Sequence, residues 1–339
     1  MEAAGAGIQR VEHEAPPEMR DRVTETGIGP VGAAHVPVLV GVVVEWLRPR
    51  PGAHLVDATV GLGGHAAALL AASPGTTLLG LDRDPEALAR ARARLAAVAD
   101  RVVLRHASYA DLEAVLEGLG WDGADAVLLD LGVSSLQLDV PERGFTFRAE
   151  GPLDMRMDPT APTTAADVVN ASSEAELARI LAEYGEERRA RAVARAIVRA
   201  RPLRTTRELA DVVGRVLGRG RPGLHPATRT FQALRIAVND ELAELDRFLA
   251  GGWRVLRPGG RLAVLAYHSL EDRRVKEAFR RWAVGCLCPP RVSPCTCGWS
   301  AKVRVLTRRP LRPSAEEIAR NPRSRSARLR VVERLGGDG

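Results

Sequence analysis

The chain has 339 residues, of which 45% are hydrophobic, and it carries a formal net charge of +7 at pH 7. This length is sufficient for a large core and for two folded units. No apolar run approaches the roughly 20 residues that a membrane-spanning helix needs, and the first 34 residues lack the apolar core of a signal peptide. We therefore expect a cytoplasmic protein with a disordered, acidic tail over residues 1–34.

The first part of the chain alternates short apolar runs with helical segments. After a helix over 38–46, we predict strands over 55–58, 77–81, 102–104 and 126–130, with helices over 66–72, from 84 onward and over 111–119. Near-continuous apolar strands that alternate with helices are typical of a buried parallel sheet. The sequence therefore predicts an α/β fold with a mostly parallel sheet and helices on both faces.

The pattern changes after residue 138 and becomes mainly helical. A loop-like stretch over 141–162 is followed by helices over 173–184, 186–201 and 206–217, a linker over 218–226, one long helix over 228–250, and strands over 261–267, 303–306 and 328–332. We therefore predict a main domain of residues 35–138 and 227–339, interrupted by an inserted helical domain of residues 139–226.

A glycine-rich turn, Gly61-Leu-Gly63-Gly64, lies between the first strand and the helix that follows it. Such a unit presents backbone N–H groups and a helix N-terminus to a nucleotide-like ligand. The Gly-x-Gly-Gly spacing is not the full dinucleotide fingerprint, so an ordinary tight turn is the alternative. Asp82 ends the second strand 21 residues after Gly61 and favours the ligand, because an acidic residue at about this distance meets ribose hydroxyls.

Acidic residues also end the first and fourth strands, at Asp57 and Asp130. Ligands of open α/β sheets bind just outside the carboxyl ends of the strands, and an unpaired buried carboxylate is costly. Helix capping is the alternative. His268 follows the fifth strand, which we expect to neighbour the fourth, although a lone histidine at a strand end is more often structural.

Basic residues are concentrated in two segments. Residues 188–235 contain thirteen arginines and two acidic residues, and residues 302–334 contain eleven basic and three acidic residues. This clustering favours a polyanionic partner such as nucleic acid. Genome composition would explain the preference for arginine over lysine, but it does not explain the clustering.

Four cysteines lie within twelve residues, at Cys286, Cys288, Cys295 and Cys297. In a cytosolic protein such a cluster indicates metal more than disulfides. The Cys-x-Cys pairs are, however, tighter than the usual ligand spacing of structural zinc. We therefore assign no metal ligand, and zinc and free or redox-active thiols both stay open.

Several longer motifs occur in a fixed order along the chain. They are Asp57–His65, Leu129–Ser135, Gly151–Pro159, His225–Ile236, His268–Asp272 and Asn321–Ser326. Together they resemble the bacterial ribosomal RNA small subunit methyltransferase H (MraW) family, from about His35 to the C-terminus. The resemblance implies a class I, Rossmann-like methyltransferase with an inserted helical domain. It also implies transfer of a methyl group from S-adenosylmethionine to the exocyclic N4 of a decoding-centre cytidine in 16S rRNA.

The resemblance also assigns residues to the cofactor. Gly63, Gly64 and His65 would cradle its methionine end, Asp82 would hold the ribose hydroxyls, and Tyr109 would pack against the adenine.

Nearer the methyl donor, the resemblance implies that Asp130 and Gln137 complete the pocket. We predict that Asp130 is catalytic, because it is placed to accept a hydrogen bond from the target amine as charge develops, and His268 is the second candidate. Many amino-methyltransferases have an (Asp/Asn)-Pro-Pro-aromatic tetrad where this chain has Asp130-Leu-Gly-Val133. The identity of a general base therefore stays open.

The implied partner is 16S rRNA, within the small ribosomal subunit or a late assembly intermediate, with no membrane. The target base must leave its stack to reach the pocket, and the arginine-rich segments would bind the surrounding phosphates. Whether the protein is a monomer or a homodimer stays open. A nicotinamide-dependent oxidoreductase and a non-catalytic ribosome-assembly factor are the alternatives, and cofactor binding distinguishes them.

Overall fold

The computed structural model describes residues 37–218, 225–289 and 294–336, so the predicted tail over 1–34 and most of the linker over 218–226 lie outside the described residues. Seven strands form one sheet. They are β1 (His54–Asp57), β2 (Thr77–Asp82), β3 (Val102–His106), β4 (Ala124–Asp130), β5 (Leu256–Ala266), β6 (Val303–Val305) and β7 (Arg328–Arg334).

The strand order is β3-β2-β1-β4-β5-β7-β6. The first five strands in sequence are parallel to one another, and β7 is antiparallel to both β5 and β6. The chain moves outward from β1 through β2 to β3 and then returns to β4 on the other side of β1. This reversal opens a crevice at the carboxyl ends of β1 and β4, which is where open α/β sheets bind ligands.

Thirteen α-helices are present in the described ranges. They are α1 (Val40–Leu47), α2 (Gly64–Ala72), α3 (Pro85–Arg94), α4 (Leu112–Gly118), α5 (Ser135–Asp139), α6 (Ala165–Ala171), α7 (Glu174–Glu183), α8 (Ala190–Ala200), α9 (Thr206–Leu217), α10 (Thr228–Asn239), α11 (Glu241–Leu249), α12 (Ser269–Ala283) and α13 (Ala315–Arg320). None of these helices has the length and apolar character needed to cross a lipid bilayer.

Helices cover both faces of the sheet, as predicted. Alternate strand residues point to opposite faces, so Val56 of β1 joins a core with Leu112 of α4 and Phe248 of α11. Its neighbour Leu55 joins a separate core with Leu69 of α2. The central strands are therefore buried on both sides, which explains why β1, β2 and β4 are apolar almost throughout.

Helices α6 to α10 share a third hydrophobic cluster. Leu177 of α7, Val193 of α8 and Leu209 of α9 are fully buried in it, and Phe231 and Leu234 extend it into α10. The amphipathic patterns of α8 and α9 thus serve a core that is separate from the sheet. The boundaries of the inserted domain, 139–226, stay a prediction, because this core includes residues of α10.

The predicted helix over 228–250 is interrupted at Asp240, which adopts a left-handed conformation with φ of 52°. This prediction was wrong because tertiary contacts stabilise the break. The Asn239 carbonyl accepts a hydrogen bond from Arg83 Nη1 at 2.8 Å. The Asn239 side chain accepts one from Met157 N and donates one to Met155 O, each at 2.7 Å. Helices α5, α6, α12 and α13 were not predicted.

Candidate active site

Three carboxylates meet at the crevice, because their strands are neighbours in register. Asp57 lies opposite Gly80 of β2 and Leu128 of β4, within two residues of Asp82 and Asp130 respectively. Burial raises the pKa of Asp57 to about 7, and the charges of Asp130 and Asp82 add to that rise. The acidic residues that end β1, β2 and β4 therefore lie at one edge of the sheet.

Asp57 is 1% exposed. Its Oδ1 accepts a long hydrogen bond from the Thr59 N–H at 3.4 Å, and its Oδ2 has no hydrogen-bond partner among the described residues. A buried oxygen of this kind is costly unless the group is protonated or faces a cation. Asp57 is thus both a turn-stabilising residue and an incompletely satisfied one.

Asp82 holds the glycine-rich turn in place. Its Oδ2 accepts a hydrogen bond from the Gly61 N–H at 2.8 Å, and its Oδ1 accepts one from the Asp84 N–H at 2.9 Å. Burial raises the pKa of Asp82 to about 6, although these two N–H groups oppose the rise. Each oxygen keeps a further lone pair for a hydroxyl donor.

Gly63 and Gly64 occupy positions that exclude other residues. Gly63 has φ of 76° and precedes the first turn of α2, a conformation that L side chains rarely adopt. A Cβ on Gly64 would lie 2.4 Å from Cγ of Pro37. The N-terminal end of α2 is therefore packed closely against the pyrrolidine ring of Pro37, which lies before α1.

Asp130 is held by three neighbours. Its Oδ1 accepts a hydrogen bond from the Tyr267 hydroxyl at 2.7 Å, its Oδ2 lies 3.6 Å from His65 Nδ1, and its N–H donates to Thr59 Oγ1 at 2.7 Å. Burial raises the pKa of Asp130, with His65 and Tyr267 opposing the rise. The structure thus brings Asp130 and His65 together, as a single polar unit.

The tautomer of His65 follows from its second contact. His65 Nε2 lies 2.9 Å from the Val38 carbonyl oxygen. Because a carbonyl only accepts hydrogen bonds, Nε2 carries a proton. Nδ1 therefore faces the Asp130 carboxylate, and a second proton on the ring would sit between the two groups.

Gln137 is buried and connects to the start of α3. Its Nε2 donates to Asp84 Oδ2 at 3.0 Å, and Arg143 Nη1 lies 2.8 Å from the same oxygen. Asp84 itself is fully buried and caps α3 by accepting from the Glu86 N–H at 3.0 Å. The network joins the segment after β4 to the segment after β2, and the cofactor role of Gln137 stays a prediction.

Two predicted residues have structural partners of their own. Tyr109 is 9% exposed and meets Phe248 edge-on, with 5.9 Å between ring centroids. His268 caps α12, where its Nε2 lies 3.1 Å from Glu271 Oε1. Although burial alone would raise it, the charges of His268 and Arg235 lower the pKa of Glu271. The stacking role of Tyr109 and the catalytic role of His268 stay predictions.

Sequence reasoning missed four residues of this site: Thr59, Asp84, Arg143 and Tyr267. Tyr267 was predicted only as the end of the fifth strand, and its hydroxyl is aimed across β4 at Asp130. Its position could have indicated this role, because the Tyr267 hydroxyl lies at the carboxyl end of a strand, as the acidic residues do. Arg143 lies in a stretch that was predicted as loop and offered no comparable signal.

A basic groove lies between α8 and α9. Its volume is about 400 Å³, and its lining consists of small apolar residues and three arginines: Ala192, Arg195, Ala196, Arg199, Ala200, Val212, Arg215 and Val216. Arg195 lies 3.3 Å from the exposed Glu174. The groove therefore combines an apolar floor with guanidinium groups at its rim.

Comparison with known proteins gives a consistent result. Residues 32–335 match the model of the MraW methylase family. The chain is 52% identical to a ribosomal RNA small subunit methyltransferase H of Nitratidesulfovibrio vulgaris, over 92% of this chain and 98% of that protein. It is also 52% identical to the protein of the same name from Thermomicrobium roseum, over 91% of this chain and 96% of that protein.

Among solved structures the similarity is weaker. A putative rRNA-methylase from Clostridium thermocellum is 14% identical with a TM-score of 0.40, covering 89% of this chain and 100% of that one.

Proposed function

The chain belongs to the MraW methylase family, and on this premise we propose that it transfers a methyl group from S-adenosylmethionine to N4 of a cytidine in 16S rRNA. The observation that carries the proposal is the placement of Asp130. Its carboxylate lies at the carboxyl end of β4, fixed by the Tyr267 hydroxyl and beside His65. The crevice that it faces also contains the incompletely satisfied Asp57.

The residues of the crevice fit S-adenosylmethionine in charge and in shape. Asp57 is a buried carboxylate and Asp130 a partly buried one, and both lie near His65. A ligand that carries a sulfonium and an ammonium group would supply the missing positive charge. Asp82 would accept hydrogen bonds from the ribose hydroxyls, and Gly63 adopts the positive φ that the turn before α2 requires.

The cofactor supplies an electrophilic methyl group when it is bound. The exocyclic nitrogen of cytosine is a poor nucleophile, because its lone pair is delocalised into the ring. Asp130 would accept a hydrogen bond from this amine and stabilise the positive charge that develops there. Tyr267 and Thr59 are positioning residues, since they hold the carboxylate and the backbone of Asp130.

The basic groove between α8 and α9 supports binding of the surrounding RNA. Arg195, Arg199 and Arg215 line it, and guanidinium groups match phosphate geometry well. Its small apolar floor leaves room for a sugar or a base between these groups. We assign the inserted helical domain, residues 139–226, to recognition of the RNA.

The substrate class also indicates where in the cell the reaction takes place and in which assembly the RNA is bound. We propose that the protein acts in the cytoplasm on 16S rRNA within the small ribosomal subunit or a late assembly intermediate. Folded RNA presents phosphates at fixed positions, which suits a preformed basic groove better than a flexible strand does.

The test uses the full chain with purified small subunits from cells that lack it and with S-adenosylmethionine labelled in the methyl group. We expect label in one cytidine, located by mass spectrometry of RNA fragments. Asp130→Asn should reduce kcat by about a hundredfold or more, whereas the exposed Asp246→Asn should not. Absence of S-adenosylmethionine binding by calorimetry, or label on a different base, would contradict the proposal.

Replacing the three groove arginines by alanine should leave cofactor binding intact. It should raise KM for the small subunit. It should also make binding of the subunit less dependent on salt concentration, because each lost phosphate contact removes about one released counterion. An unchanged salt dependence would remove the groove from the RNA-binding surface.

A further inference from the structure

The loop between α12 and β6 brings all four cysteines of the chain together. The Sγ atoms of Cys286, Cys288, Cys295 and Cys297 all lie within 4.8 Å of one another. None of these thiols forms a disulfide. The cluster lies on the surface, and nothing in the methyl-transfer site explains it.

The separations of the thiols are in the range of a tetrahedral metal site. Cys286 Sγ lies 3.2 Å from Cys295 Sγ and 3.7 Å from Cys297 Sγ, and Cys288 Sγ lies 3.7 Å from Cys295 Sγ. Four thiolates around zinc, each at about 2.3 Å, are separated from one another by about 3.8 Å. The tight Cys-x-Cys spacing, which made zinc uncertain from the sequence, therefore does not prevent the required geometry.

The thiols are not arranged as two disulfide pairs. Cys295 Sγ lies 3.2 Å from Cys286, 3.7 Å from Cys288 and 3.4 Å from Cys297. In two disulfides, each Sγ atom would lie about 2.05 Å from its one partner and clearly farther from the other two Sγ atoms. Similar distances in several directions indicate one shared central ligand.

Backbone groups are placed to stabilise thiolates. The Leu287 N–H donates to Cys297 Sγ at 3.4 Å, and the Cys288 N–H donates to Cys286 Sγ at 3.3 Å. Hydrogen bonds of this kind orient metal ligands and lower the cost of gathering negative sulfur atoms. Without a cation, four neighbouring thiolates would repel one another.

The surroundings of the loop explain why a metal would be useful there. At its base, Trp299 Nε1 donates to the Val284 carbonyl at 2.9 Å, and the Lys302 N–H donates to the Trp282 carbonyl at 2.7 Å. Beyond this base the side chains of the described loop residues, 285–289 and 294–298, are largely exposed, including Leu287 at 38%. A segment with so little buried surface needs another source of stability.

We propose that Cys286, Cys288, Cys295 and Cys297 bind one structural zinc ion, which crosslinks the loop between α12 and β6. All four positions of a tetrahedral site are filled by protein ligands, so the ion has no open position for a substrate. The site is therefore structural, and it is separate from the chemistry at Asp130.

The experiment measures zinc in the untagged full chain, purified under reducing conditions without chelator. Mass spectrometry of the metal should give about one zinc per chain. The double variant Cys286→Ser/Cys297→Ser should contain none, and Thr296→Ser, which changes the same loop but keeps every thiol, should retain it. After removal of zinc, cobalt should give the intense visible bands of a tetrahedral thiolate site in the wild type alone.

Affinity for S-adenosylmethionine reports whether the double variant is folded, and we expect it to be unchanged. If the variant fails to fold, the cobalt spectrum of the wild type still decides the question. Three results would overturn the proposal: substoichiometric zinc without cobalt bands, equal zinc in wild type and double variant, or a disulfide within the cluster under conditions that keep other thiols reduced.

Discussion

Replacement of Asp57 by asparagine should remove a large pH dependence from the stability of the cofactor-free protein. Burial raises the pKa of this carboxyl from 3.8 to about 7, so the folded state holds the proton more tightly than the unfolded state does. Its stabilising contribution is complete below about pH 4 and is lost as the pH rises through about 7. Asparagine keeps the size of the side chain but does not titrate.

The magnitude follows from the linkage between protonation and folding. Between about pH 5 and about pH 7, two pKa units at 1.36 kcal/mol each correspond to roughly 3 kcal/mol. Other groups titrate as well: burial raises the pKa of Asp82 to about 6, whereas the pKa of Glu271 is lowered. The informative quantity is therefore the difference between wild type and variant, in which most of their contributions cancel.

Urea unfolding of both proteins at intervals from about pH 5 to about pH 8 measures this difference. We expect the variant to gain roughly 3 kcal/mol on the wild type over this range. Asp211→Asn, which changes an exposed carboxylate of α9, should follow the wild type throughout. If the difference in unfolding free energy between wild type and Asp57→Asn stays constant within about 0.5 kcal/mol, the reasoning is refuted, because Asp57 then takes up no proton on folding.

Three further substitutions test separate parts of the site. Gly64→Ala places a methyl group 2.4 Å from Pro37 Cγ, so we expect about 1–3 kcal/mol of destabilisation and weaker cofactor binding by calorimetry. Tyr267→Phe removes a hydrogen bond that lowers the pKa of Asp130, so the acidic limb of the profile of kcat/KM against pH should move to higher pH. Asn239→Ala leaves two backbone groups unpaired in the loop that it holds, which should cost about 2–5 kcal/mol in urea unfolding.

Each of these expectations has a result that would contradict it. Gly214→Ala, in α9 with nothing within 4 Å of the added methyl, should be neutral or stabilising by up to about 1 kcal/mol. If Gly64→Ala changed the stability no more than Gly214→Ala does, the contact with Pro37 would not be tight. An unmoved acidic limb in Tyr267→Phe would mean that another group titrates there. Loss below about 0.5 kcal/mol in Asn239→Ala would show that water replaces the lost partners.

Much of the sheet was predictable because β1, β2 and β4 are buried on both faces and are therefore almost entirely apolar. The carboxyl ends at Asp57, Asp82 and Asp130 were found for the same reason, since an acidic residue that ends an apolar run is conspicuous. Residues at the carboxyl ends of neighbouring parallel strands can therefore be predicted to lie close together, even when their side-chain contacts are unknown.

The contacts that position the site were not predictable in this way. Arg143 and Asp84 are 59 residues apart in the sequence, and their ion pair depends on how the segment after β4 returns toward α3. The break at Asp240 was missed because the helical pattern continues through it, and its stabilising partner Arg83 lies 157 residues earlier. Local pattern carries no information about either contact.

The position of β7 in the sheet has a consequence for synthesis. β6 pairs with β7, and β7 separates it from β5, although β7 is the latest of the seven strands along the chain. While a ribosome has not yet released residues 328–334, the nascent protein presents residues 261–266 of β5 as an open edge. Unpaired edges of this kind recruit other strands. An mRNA with a stop codon shortly before residue 328 should therefore yield aggregates rather than a slightly shortened enzyme. Timely completion of the chain thus protects the exposed edge of β5 during folding.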